Sequence, residues 1–524
     1  MKSKLKILSF NKGALVDHYN NNPDDLYAPT HIFPNIDPEP SAHYSEYKSW
    51  SIDDKLYKDH WAKPYILGQF ESMNHVHFNG EEQFAGLLDR EIDIEHFNNE
   101  DDVKNIGNII KKAKEQANDV IVIFHRLHSY IVPYSMWNTI YKEDINVVID
   151  NAFEAESYSM HRLFYWLHTL FGKANFVKYL YAAHDIPFME QGKMSRKNLI
   201  KQEFGIDMVN IEFFMLHELT GNKHVSDNDE RNKLIYKNYD PSIFHTNNKP
   251  LKFICLNNYM KDHRLHIVNY LVQNDLIDKG IMSARFSLDP SKPFYNHGVT
   301  DFGSAETVNQ TLKPFSHTLT RDEYSKLSDT LPITIADDLI DNKHAVNSDM
   351  FNSEGHENYE FRDRWVNWQW YANTDFTIVN ESSFTPSLVS QEGIFKQYLI
   401  DHNNHTYYNN NAPTDIGFLT EKTFKPIMYG HPFILATHPG ALARLHELGF
   451  ETFPDWFNEN YDNESNDAKR IHMICTEIKK ACEKELDINL IKDKLEHNRH
   501  HFFAVENAVN IFNNLFDDML RRDK

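Results

Sequence analysis

The chain has 524 residues, with 76 acidic and 54 basic side chains and a formal charge of −22, which argues against an extended surface for duplex DNA, since such surfaces are basic. Apolar residues at 41% and aromatics at 13% support large packed cores and exclude a disordered chain, while only 18 glycines exclude collagen-like or glycine-linker architectures. Short apolar strands alternate with amphipathic helices, the pattern of α/β layers with largely parallel sheets. Residues 5–10 read as an opening strand, and 120–124 (VIVIF) as a strand buried on both faces. A third strand at 147–149 leads into DNAFEAES. Met160, Leu163, Phe164, Leu167, Leu170 and Phe171 then share one helical face, Gly172 ends that helix, and 177–182 follows as a strand. Residues 232–250 are polar and without a steady period, which marks a link between two halves.

The second half restarts with a strand at 252–256 and a helix carrying Leu265, Val268, Leu271 and Val272. A polar, irregular stretch covers 300–347, strands follow at 376–379 and 433–436, and no internal repeat is visible. A last helix places Val505, Ala508, Val509, Phe512, Leu515, Phe516 and Met519 on one face. The expected architecture is α/β, with two Rossmann-like domains facing a cleft. They divide into 1–247 and 248–500, and 501–524 forms a C-terminal helix able to pack back on the first. Ligands in such sheets sit at the carboxyl ends of strands. The cysteines Cys255, Cys475 and Cys482 are odd in number and form no CxxC pair, so neither a zinc ribbon nor a disulfide framework is expected. With no apolar stretch of about 20 residues, the expectation is a soluble cytoplasmic protein without a membrane span.

Three segments each follow a strand of the second half. In FICLNNYMKDHRLHIV a polar loop from Asn257 delivers Arg264 to a helix start, where backbone N–H groups and a guanidinium favour an anion. In DFTIVNESSF, Asn380, Glu381, Ser382 and Ser383 form a dense set of hydrogen-bonding groups suited to sugar or ribose hydroxyls. In GFLTEKTFKPIMYGHPFILATHPGAL, a short helix bears Phe424, Ile427 and Met428, and Pro426 is expected in its first turn. Glu421 and Lys422 then occupy the loop at the helix mouth, where Lys422 and Lys425 can neutralise a diphosphate and Glu421 can accept from adjacent hydroxyls. The ordinary reading of Glu421, a helix-start carboxylate favoured by the dipole, is compatible with that role.

FLTEKTFKPIMYGHPFILA resembles the donor-binding signature of α-1,3-fucosyltransferases. FTIVNESSF is similar to that family's F-x-L-x-F-E-N-S, and Arg264 to its phosphate-binding arginine, with all three in the same order. The combination of CLN…HR, NES and TEKTFKP resembles still more closely a group of phage and large-virus proteins regarded as glycosyltransferases. The resemblance spans 252–453. It implies a GT-B fold, a nucleotide-sugar donor (UDP- or GDP-linked) bound by the second domain, inverting transfer, and neither cofactor nor essential metal. Carried over by position, Arg264, Asn380, Glu381, Glu421 and Lys422 bind the donor, and Asn257, Ser382, Thr420 and Lys425 complete the set. The Asn–Glu order is reversed here, Phe424 replaces Trp and Pro426 a helix former, so fucose is not inherited.

The first half then holds the acceptor and its general base, a carboxylate or histidine at a strand end. Asp150 and Glu154 are the first candidates and His125 the reserve. An N-cap aspartate with a first-turn glutamate is the ordinary reading of the first two. No HExxH, GxxxxGK[ST] or GxSxG occurs, so a zincin, a P-loop NTPase and a standard hydrolase lack their signatures. The acceptor remains open among a modified DNA base, a glycan and a protein, with nucleic acid entering only as acceptor. The alternatives are a non-catalytic viral or host-interaction protein on a decayed transferase fold and, third, a sugar-nucleotide epimerase.

Overall fold

A computed structural model describes residues 2–22, 64–73, 84–125, 132–151, 160–182, 184–185, 196–221, 240–257, 261–284, 286–289, 305–333, 368–382, 384, 416–417 and 419–521. The first sheet contains β1 (Ser3–Phe10), β2 (Arg90–Phe97), β3 (Asp119–His125), β4 (Asn146–Asn151), β5 (Val177–Tyr181) and, after the short β6 (His184–Asp185), β7 (Asp207–Asn210). Its order is β2-β1-β3-β4-β5-β7 and every neighbouring pair is parallel. Parallel neighbours need long crossovers, usually helices, and these cover both faces of the sheet. The side chains alternate accordingly. Leu5, Ile7, Ile121, Ile123 and Val148 enter one core, and Leu8, Phe10, Val122, Phe124, Val147 and Ile149 enter the other.

The second sheet contains β8 (Leu251–Asn257), β9 (Gly280–Ala284), β10 (Thr374–Asn380) and, after the short β11 (Ile416–Gly417), β12 (Phe433–Ala436). Its order is β12-β10-β8-β9, again all parallel, while β11 pairs antiparallel with β6 of the first half. The chain is therefore α/β with two parallel sheets, as expected. In both sheets the chain starts in the middle, adds a strand to one side, then crosses back to the other. That reversal opens a crevice between β1 and β3 in one sheet and between β8 and β10 in the other.

The helices that border these crevices and join the halves are α1 (Tyr65–Met73), α2 (Phe213–Gly221), α3 (Asp262–Gln273), α4 (Glu421–Met428), α5 (Ala441–Glu447), α6 (Asp467–Glu483) and α7 (Val505–Leu520). Helix α7 crosses back to the first half. Its Phe512 and Phe516 rings meet Phe70 of α1 at 5.4 and 5.8 Å, and Asn146 of β4 donates to the Met519 carbonyl at 2.8 Å. Arg90 of β2 pairs with Asp517, and Arg444 of α5 reaches Glu212 beside α2 at 2.5 Å. One apolar cluster consequently runs from Leu5 and Ile7 through Phe512 to the second sheet.

Two expectations change. The stretch at 300–347 is not irregular where it is described, because 305–333 folds into helices Ala305–Leu312 and Arg321–Thr330. The second begins with a capping box, in which Thr320 and Glu323 satisfy each other's backbone N–H groups. Pro426 is not in the first turn of α4 but its sixth residue. Thr420 is the N-cap, so Glu421 and Lys422 open the helix rather than a preceding loop. Among the described residues, no helix is long and apolar enough to cross a membrane. The three cysteines are reduced and buried, all in the second half.

Candidate functional site

The crevice of the second sheet lies at the carboxyl ends of β8 and β10, and the structure brings most of the second-half candidates there. Asn257 ends β8 and Asn380 ends β10, both buried, and the Asn380 amide donates to Asn257 Oδ1 at 2.9 Å. Both side-chain amides also approach the thiol of Cys255, at 3.4 and 3.5 Å. Arg264 lies in the first turn of α3 at 4% exposure, and its guanidinium donates to the carbonyls of Asn380 and Glu381 at 3.1 Å each. Those contacts fasten α3 to the end of β10. Burial lowers the affinity of Arg264 for its proton, against the opposing charges of Glu381 and Glu421.

Glu381 has no exposed surface. One carboxylate oxygen accepts the Thr420 N–H at 2.8 Å and the Thr423 hydroxyl at 2.6 Å. The other accepts the Thr420 hydroxyl at 2.6 Å and the Ser382 N–H at 3.1 Å. A buried carboxylate is tolerable only when so satisfied, and this one clamps the start of α4 onto the end of β10. Thr423, with Thr420 three residues earlier, was not singled out from the sequence, although that spacing puts both hydroxyls on one helical face. His263 was also missed. It is buried, bonds the Glu381 carbonyl at 2.9 Å and stacks on Phe384 at 5.3 Å. Burial, with Arg264 beside it, keeps its proton affinity well below normal.

Glu421 and Lys422 stand differently. They form an ion pair at 2.6 Å with side chains 20% and 31% exposed, so this pair reaches the surface of the crevice. The Lys422 ammonium also approaches the Thr420 hydroxyl at 3.1 Å and the Ser382 hydroxyl at 3.4 Å. Burial pushes Glu421 up, but the charges of Lys422 and Lys425 and the bond from Lys422 outweigh it and lower the carboxyl to about 2. Lys425 lies one turn on, partly buried. Lys261, another cation absent from the expected set, precedes α3 and donates to the Ser382 carbonyl at 2.6 Å. The arrangement is a positively biased helix mouth with an ionised carboxylate in it, able to bind an anion beside a hydroxyl-rich group.

The first-half candidates divide. His125 and Asp150 are register partners at the carboxyl ends of β3 and β4, both fully or almost fully buried. Asp150 accepts the Ile66 N–H at 2.7 Å, so it serves the start of α1, and Tyr65 places its ring edge-on to His125 at 4.5 Å. Glu154 lies outside the described residues. Among the described residues, no group of three or more His, Cys, Asp or Glu is placed to hold a metal ion. In comparisons with known proteins, no family model, no curated protein and no solved structure matches this chain.

Proposed function

We propose that this chain is a glycosyltransferase of GT-B architecture, moving a sugar from a UDP- or GDP-linked donor to an acceptor held by the first half. One observation carries the reading: the partly exposed Glu421–Lys422 pair on the first turn of α4, at the reversal of a parallel sheet. The leaving group of such a transfer is a diphosphate, so positive charge must stand ready where its negative charge develops. Lys422, Lys425 and the opening N–H groups of α4 supply it. Glu421, held ionised, accepts from neighbouring hydroxyls of the ribose or sugar. Arg264 and Glu381 act through shape, fixing α3 and α4 against β10. The buried Asn380 Oδ1 has no hydrogen-bond partner among the described residues, which suits a ligand that brings a donor. Transfer is taken to be inverting and metal-independent, on the resemblance alone. His125, at the crevice between β1 and β3, stands better placed as base than Asp150, whose carboxylate serves α1.

Calorimetry with UDP, GDP and their sugars, with and without EDTA, tests the reading on the full chain. Lys422→Ala is expected to weaken binding about 10- to 100-fold, the worth of a charge-assisted contact. Glu421→Gln should instead blur discrimination among riboses or sugars. If both variants bind every nucleotide sugar like the parent, the site is misassigned, and strict dependence on a divalent ion overturns the metal-free mechanism. A second reading, a non-catalytic binding protein on a decayed transferase fold, is favoured by the way Lys422 and Glu421 satisfy each other. It expects no nucleotide-dependent rise in melting temperature.

A further inference from the structure

The opposite end of the second sheet carries a recess that the donor site does not use. The segment before β8 and the segment before β10 border it, at the amino-terminal ends of the two central strands. Its volume is about 530 Å³, and its lining includes Ile243, Thr246, Asn248, Lys249, Gln369 and Asn373. The length of β8 separates it from the donor site by roughly 20 Å.

Lys249 is only 9% exposed, and its ammonium donates to the Tyr371 carbonyl at 3.0 Å. Among the described residues no carboxylate lies within ion-pair distance of it. The nearby acid, Asp375 on β10, is taken by Lys252 of β8 at 2.8 Å. The neighbouring His245 and His431 bring no compensating charge. Burial first, and then the cations around them, hold His245 down to about 4 and His431 well below its usual range. A buried ammonium with a single neutral partner is costly, and a negative partner relieves that cost. Thr246, Asn248, Gln369 and Asn373 add hydroxyl and amide groups of the kind that bind oxygen anions.

We propose that this recess is a binding site for a small oxyanion, of carboxylate or phosphate type, with Lys249 as its counter-charge. Burial lowers Lys249 to about 8, against the pull of Asp375. The ammonium is therefore charged below about pH 8 and loses its charge above it, so affinity falls as the pH rises through that value. His245 and His431 stay neutral over this range, and Asp375 stays paired with Lys252, so neither reverses the trend.

The test is the melting temperature of the full chain in sodium sulfate or sodium malonate, against sodium chloride at matched ionic strength, at about pH 6.5 and about pH 9.5, either side of the Lys249 value. Sulfate stands for a phosphate-type ligand and malonate for a carboxylate. The parent and Lys422→Ala are expected to gain a few degrees at the lower pH with the matching anion and little at the higher. Lys249→Met should show only the smaller gain that salt exclusion gives any folded protein. General salt exclusion acts on all three proteins alike and cancels in the difference. An equal gain in Lys249→Met, or none in the parent, overturns the site. Should Lys249→Met not fold, a parental gain that is unchanged between the two pH values overturns it as well. Failure of the donor site would appear in Lys422→Ala and nucleotide binding, so the two readings fail separately.

Discussion

Two carboxylates at the crevice of the second sheet do opposite work because their partners differ. Glu381 is enclosed by hydroxyls and backbone N–H groups from Thr420, Thr423 and Ser382, and none of its surface meets solvent. Glu381→Gln puts an amide N–H₂ where an acceptor is needed and is expected to destabilise by about 1.5–3 kcal/mol, read from the urea midpoint. Glu421 is partly exposed and pairs with a lysine. Its carboxyl lies at about 2 in the folded chain against 4.5 when free, so protonation favours the unfolded state. The stability it contributes is fully present above about pH 4.5 and is lost as the pH falls through about 2. Glu421→Gln should therefore lower stability at neutral pH and flatten the acid limb of the stability curve over that window. A Gln variant whose acid limb matches the parent's would contradict the pairing.

At the scale of elements, α4 depends on its buried face. Phe424 is fully buried, with the Phe450 and Phe502 rings 6.2 and 6.4 Å away. Phe424→Ala is expected to cost about 3–5 kcal/mol, measurable as a fall in melting temperature, where Lys422→Ala costs about 1 kcal/mol or less. The same helix shows what could be read in advance. Its existence and the strands on either side, β10 and β12, follow from apolar runs that only a buried strand or helix face explains. Its start did not follow, because the position of Pro426 suggested a later one and the Thr420 cap decided otherwise. β2 went unread because REIDIEHF alternates charge with isoleucine on the edge of its sheet, where one side of the strand has no neighbour. The helices between 305 and 330 went unread because their surfaces are polar, although the Thr320–Glu323 box was available as a signal. In the site, strand ends were legible from order along the chain. The division of labour between Glu381 and Glu421 was not, since sequence spacing cannot tell a carboxylate bonded to hydroxyls from one facing a crevice.

For the whole molecule, the decisive element is α7. It leaves the second half and fills the first with Phe512, Phe516 and Met519, while Arg444 and Glu212 tie the two halves through a charged contact. Apolar contact therefore passes without a break from one sheet to the other, and opening either half exposes the other's core. Scanning calorimetry is expected to show a single transition for the full chain. Two resolved transitions would mean that α7 and the contacts of α2 couple the halves less than their burial implies.

The placement of sulfur has an experimental consequence. Cys255 lies under the Asn257–Asn380 contact, and Cys475 and Cys482 lie on α6, so every thiol is in the second half and the first half has none. Burial pushes Cys255 and Cys482 up to about 12, and Cys475 higher still, so none forms a thiolate in the closed molecule at neutral pH. An alkylating reagent thus waits for the second half to open, and the native chain carries its own clock for that event. Set against amide exchange in β3 and β4, the labelling rate separates a breathing motion of one half from unfolding of both.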